Sequence, residues 1–276
     1  MLYPFMGSEN KERYQLVEAD LKMFSRSGVR SKIMLILLEG GRTVGELEKI
    51  TNTRSTTLLH SIKDLIDLDL VEKKHQVYSL TNIGRIQAIA LEDLLNTIIT
   101  INQHHKFWRY HDLSSIPIEL QKSIGMLGRG EIIEDAPETP LKLWEDFINS
   151  LLTAKAIRSI TPILIKGFLA AIPKAIKNGA DVEIIVTNTV LEAISEWKDI
   201  INKDLKKENF RLFLIDYDVK VSFTMTESFL KLGLANIDGS FDLGTDVMYR
   251  GEKPVMWGRM FYDHYKKQSI RIFNIE

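Results

Sequence analysis

Cysteine is absent from all 276 residues. That excludes structural disulfides, thiolate redox switches and any zinc or iron–sulfur site held by cysteine. Long apolar runs are missing as well, since none reaches the roughly 18 residues a membrane-spanning helix needs. The segment Met1 to Met6 has neither a basic start nor the apolar stretch of a secretory leader, so a cytoplasmic location is expected. Nor is there a large excess of one charge: 36 Lys and Arg against 37 Asp and Glu leave a net charge of −1. The molecule as a whole is therefore no generic polyanion binder. Glycine-rich phosphate loops and the Gly-x-Ser-x-Gly elbow are also lacking. What remains is 45% hydrophobic and 26% charged, ordinary for a globular chain of one to two domains.

The charge is unevenly spread. Between Arg26 and Lys63 stand seven basic residues (Arg26, Arg30, Lys32, Arg42, Lys49, Arg54, Lys63) against three acidic ones (Glu39, Glu46, Glu48). A local positive stretch in a near-neutral chain marks a candidate contact for a polyanion.

The same region has a readable helical pattern. Ile33, Met34, Leu37 and Leu38 make an apolar helix face that Gly40-Gly41 stops. Thr43 with Glu46 three residues on is a capping box, so a second, short helix starts there with Leu47 and Ile50 as its buried side. Thr53 is placed to cap a third helix running to about Asp67. On it Leu58, Ile62 and Leu65 share one side, flanked by Leu59 and Ile66, while Thr56, Thr57, His60 and Asp64 point away. Two strand-like runs, Leu70 to Lys74 and Val77 to Leu80, join around His75-Gln76, and Thr81 caps the next helix. Three helices and a hairpin form the order of a winged helix-turn-helix. Residues 10–82 are read as that domain.

Residues 83–140 open with one long helix whose stripe includes Ile83, Ile86, Ala90, Leu91, Leu94, Leu95, Ile98 and Ile101. It packs on its own domain or pairs with its copy in a second subunit. The rest of this connecting stretch loosens into chain punctuated by proline and glycine. Residues 141–276 alternate strands and helices: strands at 156–161, 182–187 and 210–215, helices through 171–176 and 190–205, then short strands at 219–225, 229–235 and 246–249. The βαβαβ opening predicts a sheet that begins parallel and ends antiparallel. The fold class expected is α+β: an N-terminal winged helix, a long connecting helix, and a C-terminal α/β domain with a mixed sheet.

The chemistry lies in the third helix and the hairpin. An α-helix fits the major groove, where hydroxyl, imidazole and basic side chains meet base edges and phosphates. Thr53, Arg54, Thr56, Thr57, His60 and Lys63 are the candidate contacts from the helix. Lys73, Lys74 and His75 at the hairpin tip would reach phosphates as a wing.

Arg30 to Gly40, Thr43 to Leu47, Ser61 to Leu65, Leu70-Val71 and Tyr78 to Thr81 resemble ArsR-type winged-helix domains. Downstream, Phe107-Trp108, His111 to Pro117, Ile124 to Leu127, Gly179 to Val186 and Trp257-Gly258 with Phe261 and Tyr265 are similar to the archaeal methanogenesis-regulatory family. The resemblance implies a dimeric archaeal transcription regulator with a C-terminal domain that senses an effector. In one place the chain departs from ArsR-type helices: Ser61 stands where they often carry His, and His60 comes one position earlier.

Other chemistries have weaker support. Of six histidines only His104, His105 and His111 cluster, and successive side chains on a helix diverge by about 100°, so an exposed helix end is expected there rather than a metal site. His264-x-Lys266 resembles part of a phospholipase D motif, but Arg271 stands where its Asp belongs and no second copy exists. The C-terminal domain is thus similar to non-catalytic phospholipase-D-like sensor domains. Asp135, Glu138, Asp238, Asp242 and Asp246 lack the spacing of a metal or acid–base set and read as solvated loop residues; Trp257 and Tyr262 read as core. Expected, then, is a sequence-specific binder of double-stranded DNA, a homodimer on an inverted repeat, responsive to a small-molecule effector, with no cofactor, no metal and no catalysis. The alternative is a winged-helix module that binds protein and reads no DNA.

Overall fold

The computed structural model describes residues 6–134 and 142–276, and its contacts divide the chain into two units, Met1–Leu95 and Asn96–Glu276. The expected boundary at 140 and the acidic residues Asp135 and Glu138 lie outside the described residues.

The smaller unit runs α1 (Met6–Arg26), α2 (Gly28–Leu38), β1 (Arg42–Thr43), α3 (Val44–Thr51), α4 (Ser55–Asp67), β2 (Val71–Lys74) and β3 (Val77–Leu80), then enters α5 (Asn82–Gln103). Local chemistry sets the helix starts. Ser27 Oγ accepts the Arg30 amide at 3.3 Å to open α2. Thr43 and Glu46 close the expected capping box: the Glu46 amide donates to Thr43 Oγ1 at 3.3 Å, and the Thr43 amide to Glu46 Oε2 at 2.7 Å. Thr81 Oγ1 accepts the Gly84 amide at 3.0 Å where α5 begins. The core joins Ile33, Met34 and Leu37 of α2, Leu47 of α3, Leu58, Ile62 and Leu65 of α4, and Val71 and Tyr78 of the hairpin.

Several expectations are corrected here. Ile50 is exposed: α3 has only two turns, and Leu47 alone of its side chains reaches the core. Thr53 does not cap α4, because its hydroxyl is turned back to the Thr51 carbonyl at 3.3 Å and the helix begins after Arg54 without a side-chain cap. Asp64 does not point freely outward; Arg30 Nη1 of α2 holds it at 3.0 Å. Strand β1 pairs antiparallel with β3 and completes a three-stranded sheet in the order β1-β3-β2.

The larger unit is built on one mixed sheet of eight strands, with β4 (Gly130–Glu134), β5 (Ala156–Thr161), β6 (Asp181–Thr187), β7 (Phe210–Ile215), β8 (Val221–Met225), β9 (Phe229–Ala235), β10 (Phe241–Arg250) and β11 (Ile270–Ile272). Their order is β11-β7-β6-β5-β8-β9-β10-β4. Strands β5, β6 and β7 are parallel and the remaining pairings antiparallel, as the βαβαβ pattern predicts. Helices α6 (His105–Tyr110), α7 (Ile118–Lys122), α8 (Lys142–Thr153), α9 (Lys166–Lys177), α10 (Asn188–Ile194), α11 (Lys198–Leu205) and α12 (Glu252–Lys266) cover it. The helix expected from Val190 to Leu205 is broken by a single 3-10 turn at Ser195–Trp197.

Alternation along the strands sends two sets of side chains to two cores. Ile157, Val182, Ile184 and Leu212 pack beneath α8, α9 and α10. Ile160, Ile185, Phe223 and Leu232 pack against α12, whose Trp257, Phe261 and Tyr262 are buried as expected, and against Phe107, Trp108 and Ile116. The chain from 105 to 134, read as loosening, is firmly tied into this second core. Trp257 Nε1 donates to the Leu120 carbonyl at 3.0 Å, Tyr265 Oη to Ser115 at 2.6 Å, and Lys220 Nζ meets Asp112 Oδ2 at 2.7 Å. That lysine, with the Ser114 amide, holds Asp112 down to about 2.

Candidate nucleic-acid interface

Helix α4 has two unlike sides. Leu58, Ser61, Ile62 and Leu65 face the core. At about 100° per residue, Thr56, His60 and Lys63 then run down the middle of the opposite side, with Thr57 on one flank and Leu59 on the other. All five are exposed, as is Arg54 just before the helix. Thr53 is half-buried and stands at the margin. The departure at Ser61 is structural: the residue is buried against the core, and His60 takes the outward place.

The hairpin supplies the second element. Lys74 pairs with Val77 across β2 and β3, leaving His75-Gln76 as a two-residue turn. His75 has φ 57°, the left-handed conformation such a tight turn requires. Lys73, Lys74 and His75 are all exposed. Lys73 Nζ sits 5.2 Å from the Tyr78 ring centroid, which steers the stem without using its charge. Lys74 Nζ touches Glu72 at 2.8 Å, an exposed pair worth at most about 1 kcal/mol and so easily exchanged for a phosphate. The turn between α4 and β2 is short, and the Leu70 amide donates to the Leu65 carbonyl at 2.9 Å, which fixes helix and hairpin within one unit.

One outward residue was hidden in the sequence pattern. Leu59 reads as a flank of the apolar back, yet it is 46% exposed between Thr56 and Lys63. An apolar side chain there suits contact with a thymine methyl group. Its periodicity could not reveal this, because a flanking position is compatible with either side.

The histidine cluster does something other than expected. His104 is buried, with Nε2 2.9 Å from the Gly130 carbonyl, not an exposed helix end. His111 is buried too, with Nδ1 2.7 Å from the Phe107 carbonyl and Nε2 3.2 Å from Asp242. Among the described residues, no group of three or more metal-ligating side chains is arranged to hold an ion. Asp242 and Asp246, read as solvated, are likewise structural: the first meets His111, the second lies in β10 and meets Lys231 Nζ at 2.5 Å. Asp238 keeps its loop role, accepting the Ser240 amide and hydroxyl.

Models for two domains of the methanogenesis regulatory protein FilR1 match this chain, the N-terminal domain over residues 18–99 and the middle domain over 140–268. The chain belongs to the FilR1 family. FilR1 of Methanothrix harundinacea is 35% identical over 254 residues, covering 90% of this chain and 57% of that protein. The chain thus spans little more than half the length of this FilR1 relative. The HTH-type transcriptional activator ArnR of Sulfolobus acidocaldarius is 29% identical over 85 residues, 30% of this chain and 32% of ArnR. Among solved structures, the archaeal chromatin protein TrmBL2 superposes with a TM-score of 0.42 at 15% identity, covering 94% of this chain and 99% of that one. The phospholipase D family member Nuc of Salmonella typhimurium gives 0.40 at 14% identity, covering 52% and 97%. Likenesses that distant carry nothing about the interface. Both named relatives of the FilR1 chain are transcription regulators, in keeping with the resemblance read from the sequence. Among the described residues, no helix is long and apolar enough to cross a membrane.

Proposed function

We propose that this FilR1-family chain is a sequence-specific DNA-binding transcription regulator, acting as a homodimer in the cytoplasm, with a larger unit that senses an effector and performs no catalysis. The observation that carries the proposal is the polar, exposed side of α4 set on an apolar back, in one unit with a basic hairpin tip. Thr56, Thr57, His60 and Leu59 would meet base edges, with Thr53 at the margin. Arg54, Lys63, Lys73, Lys74 and His75 would neutralise phosphates.

A dimer is supported by α5. Ile83, Ile86 and Leu94 are 56%, 70% and 56% exposed, and with Ala90 they recur every three or four residues along one side. Four apolar positions at that spacing form a seam that a second copy of the helix can fill. Two winged units would then read half-sites about one duplex turn, roughly 34 Å, apart on an inverted repeat.

Changing both Ile86 and Leu94 to Glu places charges in that seam. The variant is expected to sediment as a folded monomer, and its affinity for a promoter duplex to fall by at least ~100-fold as the second half-site is lost. A variant that remains dimeric would show that the seam lies elsewhere.

A second reading has one observation in its favour. Leu59, Ile66 and Leu68 leave an exposed apolar flank on and just after α4, which also suits a protein partner. Ion pairing of Asp64 with Arg30 weakens it, because that carboxylate is no longer offered to a basic partner.

A further inference from the structure

The sheet face beneath α8 and α9 carries a polar island where a core should be apolar. On this face, alongside Ile157, Val182 and Leu212, stand Ser159 of β5, Thr224 of β8, Lys231 of β9 and Asp246 of β10. Ser159, Thr224 and Lys231 are 1%, 4% and 2% exposed. Lys231 Nζ lies 2.5 Å from Asp246 Oδ2, and Ser159 Oγ lies 3.0 Å from Thr224 Oγ1 and 3.1 Å from Thr161 Oγ1. Burying an ion pair costs about as much as its attraction returns, and apolar residues of similar volume often serve a core better. Packing alone therefore gives no reason for the lysine.

Two cavities meet at this island. The larger, about 70 Å³, is lined by Leu164, Phe168, Ile172, Ile184, Val190 and Leu212 among others, nearly all apolar. The smaller, about 10 Å³, is bounded by Ser222, Thr224 and Lys231. Thr161, Ile165 and Phe168 line both. Strand order gives the pair a direction: β7 and β6 floor the apolar cavity, β5 is shared, and β8 and β9 floor the polar one. Asp204 of α11, the helix packed on β7, borders the apolar cavity at its far side and repels an acid head from that end.

We infer that these cavities bind a short-chain carboxylic acid, its tail over β6 and β7 and its carboxylate at Lys231 and the hydroxyls of Thr224 and Thr161. This inference rests on the larger unit being the effector-sensing part. About 70 Å³ is roughly half of the ~150 Å³ apolar cavity that accepts benzene, which leaves room for a tail of about three to five carbons. Lys231 has three donors, so one can stay with Asp246 while another meets the ligand.

The test is calorimetric titration of the full chain, without DNA, by valerate, acetate and 1-pentanol. Valerate should bind on the order of 50-fold more tightly than acetate, about fourfold for each of three further buried methylenes. Thr224→Val keeps the volume and removes the hydroxyl; it should weaken valerate about tenfold and leave pentanol unchanged. Val190→Phe fills the tail cavity and should abolish binding; if that variant does not fold, the chain-length series and Thr224→Val decide alone. Valerate binding no tighter than acetate would overturn the inference, as would equal losses for valerate and pentanol in Thr224→Val. Titrating promoter DNA into the same protein separates the two levels. Valerate binding without DNA binding removes the regulator reading and leaves the site; DNA binding without valerate binding does the reverse.

Discussion

Replacing Thr57 and Lys63 together with Ala is expected to abolish the mobility shift of the native promoter while the protein stays folded and dimeric. Both side chains are exposed on α4, and Leu58, Ile62 and Leu65 behind them are untouched. Surface changes of this kind alter stability by no more than about 0.5 kcal/mol. The loss in binding is larger by arithmetic. A base-edge contact is worth about 1–3 kcal/mol of discrimination, and in a dimer each contact is lost twice. The combined fall is on the order of 100-fold or more, enough to clear a gel. Lys63 removes a phosphate contact, so its share should appear equally on specific and random duplex, whereas the Thr57 share should appear on the operator alone. Unchanged binding by the double variant would remove α4 as the reading helix.

Gly84→Ala is expected to unfold the smaller unit selectively. An alanine Cβ at this position would stand 1.9 Å from the Leu70 carbonyl oxygen and 2.8 Å from its carbon. Backbone cannot step aside as a side chain can, and this carbonyl is pinned by the Thr81 amide at 3.0 Å while Leu70 itself is buried. Helix propensity argues the other way, since Ala is better than Gly inside a helix by roughly 0.5–1 kcal/mol. The steric term wins, because overpacking of this severity costs about 3 kcal/mol or more. For a unit of this size that is a drop of the order of 12–24 °C in its melting temperature. Hydrogen exchange resolves the two units: protection in α2 and α4 should fall while that in β5 to β9 holds. Equal protection throughout would mean that α5 does not lie against the hairpin.

Where local chemistry decides, the sequence was readable. The apolar spacing of Leu58, Ile62 and Leu65 and the pairing of Thr43 with Glu46 depend on residues within one or two helical turns, and both are found as expected. The three parallel strands were legible because each is a β-branched run ended by a helix signal. What failed depended on distant partners. Strand β1 has two residues and exists only because β3 lies beside it. Strand β4 looks like loop and is a strand because β10 offers an edge, more than a hundred residues later. Asp246 read as solvated because its partner Lys231 is fifteen residues away on another strand. The candidate DNA contacts were legible for a similar reason to the helix itself, since exposure follows from the same periodicity. Thr53 and Leu59 mark the limits: a hydroxyl can turn back on its own chain, and a flank can face either way.

The decisive measurement is the salt dependence of binding to the promoter duplex. If α4 and the hairpin lie on DNA, Arg54, Lys63, Lys73 and Lys74 from each of two subunits displace counterions, and the log of the binding constant should fall against log salt with a slope of roughly −7. Between 50 and 200 mM salt that is a loss of about 10³- to 10⁵-fold. Lys73→Ala with Lys74→Ala should flatten the slope by up to about four, because each subunit gives up two phosphates. A slope near zero, or one that the lysine changes leave untouched, would contradict the placement of this surface on a duplex and favour a protein partner instead.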